Sequence, residues 1–141
     1  MSEPRAPFAG QHEALTQRVL DVFHAVYNEL GYGFLESVYC RAMQIALEQN
    51  GLSVAAEVQV PVWFRGQLVG MFRADLVVEQ KIILELKIAD QISRAHESQL
   101  FHYLRSSQLE VGLILNFGPS PRSKRIDLPN SGKRGIQAFK M

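Results

Sequence analysis

The chain has 141 residues, enough for one domain with a core of its own. Its 47% hydrophobic and 21% charged residues are the balance of a globular protein, with a net charge of +1. A single cysteine, Cys40, excludes an intramolecular disulfide and suits a cytoplasmic chain. No apolar run approaches the ~18 residues that a membrane span needs.

The charge is unevenly placed, −4 over residues 1–121 and +5 over 122–141. A basic end suits a polyanion such as nucleic acid, and it equally suits a solvated tail. Residues 1–11 carry Glu3, Pro4 and Pro7 with no apolar stretch, which reads as a flexible lead-in rather than a signal peptide.

Apolar residues at Leu15, Val19, Val22, Phe23, Val26 and Leu30 predict a helix over 12–30, closed by Gly31. A second helix is predicted over 34–49, with Leu35, Val38, Tyr39, Ala42, Met43 and Ala46 as its stripe and Asn50-Gly51 as its stop. Three strands follow. The first, over 54–64, is interrupted by Pro61 and therefore bent, bulged or at an edge. The others cover 68–78 and 81–88 and are joined by a tight turn. Ser93 is a good N-cap for a third helix running to about residue 107. The apolar run over 111–117 reads as a buried strand, parallel to 81–88 because strand, helix and strand follow in that order. Gly118-Pro119-Ser120-Pro121 is expected to end the compact part, with weak edge-strand signals at 126–128 and 135–139. The fold class is therefore α/β, a mixed sheet flanked by helices.

The hairpin of the second and third strands carries the chemistry. With its turn centred on Gln80, Asp75 faces Glu85, and Lys87 lies on the same side two residues further on. Leu84, Leu86 and Ile88 point the other way, into a core with Leu76 and Val78. Two carboxylates ~5 Å apart repel by about 3 kcal/mol at an effective dielectric of 20. A hydrated Mg²⁺ turns that repulsion into ligation, and the Lys87 ammonium could then orient a water and stabilise the charge of a phosphoryl transition state. The same residues would also serve as ordinary solvent-facing ion pairs with Arg73 or Lys87.

Asp75 followed by Glu85-Leu86-Lys87 resembles the core signature of the PD-(D/E)XK nuclease superfamily. Upstream, Gly33-Phe34-Leu35-Glu36-Ser37-Val38-Tyr39 is similar to the motif that gives the GxxExxY family, a branch of that superfamily, its name. Downstream, Gln99-Leu100-Phe101-His102-Tyr103 resembles the family's Q-x-x-x-Y element, and 112–118 its closing segment. The resemblance spans about 12–118, and its motifs are specific through their order and spacing together. It departs from the signature at Ala74, where proline is the namesake residue.

The resemblance implies a restriction-endonuclease-like α-β-β-β-α-β core with an extra N-terminal helix, in a nuclease-like domain over 12–118 followed by a basic segment over 119–141. It implies a metal-dependent nuclease acting on nucleic acid, DNA before RNA. Asp75 and Glu85 would ligate Mg²⁺ or Mn²⁺ with the Leu86 carbonyl, Glu36 would approach the metal or its waters, Lys87 would be the catalytic lysine, and Gln99 and Tyr103 would line the site. The spacing of Gln99 and Tyr103 independently puts them on one helical face. Tyr39 is expected in the core with its hydroxyl near the site, and Cys40 buried beside it. His96 and His102 are not expected to be metal ligands, with His96 a minor candidate for phosphate contact. A non-catalytic nucleic-acid-binding module, or an interaction subunit of a homodimer or a larger defence or repair complex, is the alternative on the same fold.

Overall fold

The computed structural model describes residues 11–133. Three helices, α1 (Glu13–Leu30), α2 (Glu36–Gln49) and α3 (Arg94–Arg105), surround five strands: β1 (Val54–Phe64), β2 (Gln67–Val78), β3 (Ile82–Lys87), β4 (Val111–Phe117) and β5 (Pro121–Asp127). The strands form one mixed sheet in the order β1-β2-β3-β4-β5. Only β3 and β4, joined through α3, are parallel. This is the mixed α/β architecture expected from the order of elements. No helix among the described residues is long and apolar enough to cross a membrane.

Helices α1 and α2 cover one face. Val19, Phe23, Tyr39, Met43 and Leu47 pack there against Leu76, Leu84, Leu86, Leu115 and Phe117. The Tyr39 ring stacks on Phe117 with centroids 4.4 Å apart. Helix α3 covers the other face through Leu100, Tyr103 and Leu104 over Val77, Ile83 and Ile114. Strand β4 is buried along its whole length, as its near-continuous apolar run requires of a strand covered on both faces.

The fold departs from the sequence reading in three places. First, residues after Gly118 do not end the compact part. Pro121–Asp127 forms β5, antiparallel to β4 from Phe117↔Pro121 to Val111↔Asp127. Charge and proline hid this strand, yet an edge strand tolerates both, with Pro121 at its first position. The suggested strand over 135–139, like residues 1–10 and the rest of the basic segment from 134, lies outside the described residues. Second, α2 starts at Glu36 rather than 34. Leu35, placed in the buried stripe, is 74% exposed, and Val38 is exposed too. The reason is local: Gly33 has φ +119, Leu35 is an extended N-cap, and the buried Tyr39 hydroxyl donates to the Gly31 carbonyl while accepting from the Phe34 N–H. The loop is thus held off the core. Third, Cys40 is half-buried, packed against the core cluster rather than enclosed in it.

Gly118 marks a close crossing. The Tyr27 hydroxyl donates to its carbonyl at 2.7 Å, and a Cβ there would collide with the Ala89 carbonyl oxygen. Gly118→Ala is expected to destabilise the protein by about 1–3 kcal/mol or more, because rigid backbone on both sides must move. Thermal or urea unfolding checks this.

Candidate active site

The site lies where β2 and β3 part. Their ladder runs Val78↔Ile82, Val77↔Ile83, Leu76↔Leu84 and stops. The register is the one expected from a turn centred on Gln80, but the next pair, Asp75 and Glu85, is not a rung. Asp75 instead turns its carboxylate to the partner backbone, and its Oδ2 accepts from the Leu86 N–H at 2.8 Å. On its other side Asp75 lies opposite Glu57, where the β1–β2 ladder skips a pair between Ala56↔Leu76 and Val58↔Ala74. Glu57 has φ +54, a left-handed conformation that a residue with a Cβ rarely adopts. Ala74 packs on the α3 side of the sheet and Leu76 on the α1/α2 side, although they are two residues apart. The pleat therefore changes phase at Asp75, which frees its side chain to reach across the fork.

Glu85 is only 3% exposed. Burial, followed by the charge of Asp75 and a hydrogen bond with it, pushes its carboxyl up to about 9. Its Oε1 is buried without a hydrogen-bond partner. Buried carboxylate oxygens are rarely left unsatisfied. One facing a second carboxylate is what a proton or a hard divalent cation would satisfy, so these residues fit a metal.

Glu36, in the first turn of α2, feels the same field. Burial first, then Asp75, raise its pKa, and Lys87 opposes them. Among the described residues, no three His, Cys, Asp or Glu side chains are close enough together to hold an ion. Glu36 therefore stands beside the Asp75–Glu85 pair and does not complete a cage of three carboxylates.

The α3 side supplies the cationic part. The Lys87 Nζ donates to Gln99 Oε1 at 2.9 Å, and Gln99 Nε2 donates to the Tyr103 hydroxyl at 3.0 Å. Tyr103 is buried with its ring against Phe72 at 4.8 Å. Burial and then the Glu85 charge raise its hydroxyl to about 12, so it stays protonated. The chain Lys87–Gln99–Tyr103 fixes the ammonium from a buried anchor. His96 is occupied otherwise: it forms a capping box with Ser93, its backbone N–H on the Ser93 hydroxyl and its Nδ1 on the Ser93 N–H. His102 is exposed. Burial first, then the charges of Asp75 and Glu36, push the Cys40 thiol up to about 11, which keeps it a protonated, unreactive group.

Two features escaped the sequence reading. Asn116, the one polar side chain in β4, accepts from the Ala89 N–H and donates to the Ala89 carbonyl, both at 2.9 Å. It pins the segment just after Lys87. A buried amide in an apolar strand was the available signal. The second is a cleft of about 490 Å³ between α2 and the β1–β2 hairpin, with Glu36 and Asp75 in its wall. No sequence pattern announces it, because its sides come from separate elements.

The parting β-hairpin with Asp75 and a following Glu-x-Lys, the helix that brings Glu36 and the α3 face that holds Lys87 together define a nuclease-type fold. A family model described as the PD-(D/E)XK nuclease superfamily matches residues 13–126, and the chain belongs to that superfamily. Among solved structures it is similar to the crystal structure of SSO0001, with 18% sequence identity and a TM-score of 0.55 over 84% of this chain. The match spans 61% of that protein's length, less than two thirds, and speaks for the shared fold. No curated protein matches the chain significantly.

Proposed function

We propose that this protein is a divalent-metal-dependent nuclease that hydrolyses phosphodiester bonds in nucleic acid, DNA before RNA, and that it represents the GxxExxY branch of the superfamily. The observation that carries this is the Asp75–Glu85 pair: two carboxyls brought together at a strand fork, one of them with an unsatisfied buried oxygen, beside an ammonium anchored on Gln99. Asp75 and Glu85, with the Leu86 carbonyl, would hold Mg²⁺ or Mn²⁺. Bound there, the ion supplies charge neutralisation and lowers the pKa of water in its shell.

The chain's own residues do the rest. Lys87 positions the attacking water and stabilises the negative charge that develops on the phosphoryl oxygens. Gln99 and Tyr103 restrict the rotamers of Lys87 and keep its ammonium at the mouth of the fork. Glu36 orients waters on the open side. The family's chemistry and the geometry of this site support a nuclease.

The test is cleavage of labelled DNA with and without Mg²⁺. Wild-type protein is expected to cut only with the metal. Lys87→Ala should lower the rate by about 10²–10³-fold, the size of a lost transition-state contact, while still binding Mn²⁺. Full activity in Lys87→Ala, or no metal-dependent cleavage by wild type on DNA or RNA, contradicts the reading.

A further inference from the structure

The cleft beside the fork has a chemistry of its own. Glu36 and Asp75 stand in its wall, and Arg41, Gln44, Arg73 and Glu57 line the rest. Its volume of about 490 Å³ is in the range of sites that take one small molecule, which is room for a nucleotide or two and far too little for a duplex.

Both arginines can be released to a ligand. Arg41 lies on α2 and, among the described residues, is engaged by Gln44 at 3.2 Å in an exposed contact. Arg73 is 3.4 Å from Glu57, with the two side chains 64% and 71% exposed. Such an open ion pair is worth little and exchanges readily for a phosphate, and a guanidinium is the side chain best shaped to grip one.

We infer that this cleft is a phosphate-positioning groove, in which Arg41 and Arg73 hold the nucleic-acid strand next to the bond that is cut. This rests on the nuclease reading above. In this account Glu57 is the groove's internal anion: it keeps Arg73 in place while the cleft is empty and competes with the incoming phosphate. The basic edge strand is the rival surface. Register places Arg122 in a row with Asn116 and Lys87, two strands away from the catalytic lysine and with the Asn116–Ala89 contact between them. The cleft, by contrast, has Glu36 and Asp75 of the site in its wall.

The test uses the full chain with Mg²⁺ and a short fluorescein-labelled oligodeoxythymidylate. Steady-state cleavage is followed together with equilibrium binding in EDTA at several salt concentrations. Arg41→Ala and Arg73→Ala are each expected to raise KM about tenfold, the loss of one charge-assisted contact, with kcat unchanged. Each should flatten the log–log salt slope of binding by about 0.7. Glu57→Gln should move the other way and lower KM several-fold, an effect that a purely structural role for these residues would not produce. Arg122→Ala/Lys124→Ala should leave KM where it is. Active wild type with unchanged KM in both arginine variants overturns the groove and leaves the nuclease reading standing. So does transfer of the KM and salt effects to the Arg122/Lys124 variant. A wild type that neither cuts nor binds the oligonucleotide overturns both.

Discussion

Asp75→Asn and Asp75→Ala are expected to be equally inactive and to change stability in opposite directions. Asp75 has two roles. Its Oδ2 accepts from the buried Leu86 N–H, and its charge sits against Glu85. Asparagine keeps an acceptor for Leu86 and removes one of two facing carboxylates, so the metal-free variant should be more stable than wild type above about pH 9, where Glu85 has given up its proton. Alanine leaves the Leu86 N–H without a partner in a fully buried residue, which costs about 1–3 kcal/mol, offset in part by the relief of Glu85. Both variants lose a proposed metal ligand and should fail to cut DNA. Chemical denaturation of the two metal-free variants at about pH 10, above the Glu85 value of about 9, beside a cleavage assay, separates the roles. If Asn and Ala destabilised the protein equally, the charge at the fork would be of no consequence.

The second large effect is pH dependence. Glu85 is raised from the ordinary carboxylate range near 4.5 to about 9 in the folded protein. Between those values the folded state holds a proton that the unfolded state has released. Its contribution to stability is therefore fully present below about pH 4.5 and is lost as pH rises through about 9, at a slope of up to about 1.4 kcal/mol per pH unit. Metal-free wild type should lose stability from pH 5 to pH 9, and Glu85→Gln should remove that part of the dependence. In the proposed site Mg²⁺ or Mn²⁺ would take the place of the proton, so its stabilising effect should grow with pH over the same window. A metal-free protein whose melting temperature is level across this range, and identical in Glu85→Gln, would show Glu85 to be an ordinary exposed-type carboxylate.

Much of this site was legible in the sequence, for reasons that can be traced. The register of β2 on β3 followed from the turn, and the structure has it at Val78↔Ile82. The turn residues Glu79 and Gln80 both take left-handed φ without a glycine. Tertiary contacts support them: the Glu79 N–H donates to the Ser53 carbonyl, and its carboxylate accepts from the Ser53 N–H. Gln99 and Tyr103 share a face because helical spacing requires it, and the contact of Gln99 with Lys87 follows from the parallel crossover that lays α3 over β3.

What could not be read was anything set by a conflict between levels. The phase change at Asp75 depends on the strained backbone of Glu57, and no local preference predicts a left-handed glutamate inside a strand. The exposure of Leu35 and Val38 depends on Tyr39 tethering the preceding loop. Strand β5 was hidden because an edge strand needs little hydrophobic patterning. Its run of Arg122, Lys124 and Arg125 looks like a tail until the register assigns the faces. Arg125 then proves structural: it binds Asp127 and the Thr16 hydroxyl and ties β5 to α1.

The most direct measurement is calorimetric titration of Mn²⁺ into wild type and Asp75→Asn at pH 7, in two buffers that differ in ionisation heat. Wild type is expected to bind one ion with release of close to one proton, the one held by Glu85, and Asp75→Asn to bind none. Absence of binding by wild type, or the same affinity and proton release in Asp75→Asn, would contradict a cation seated between these two carboxylates.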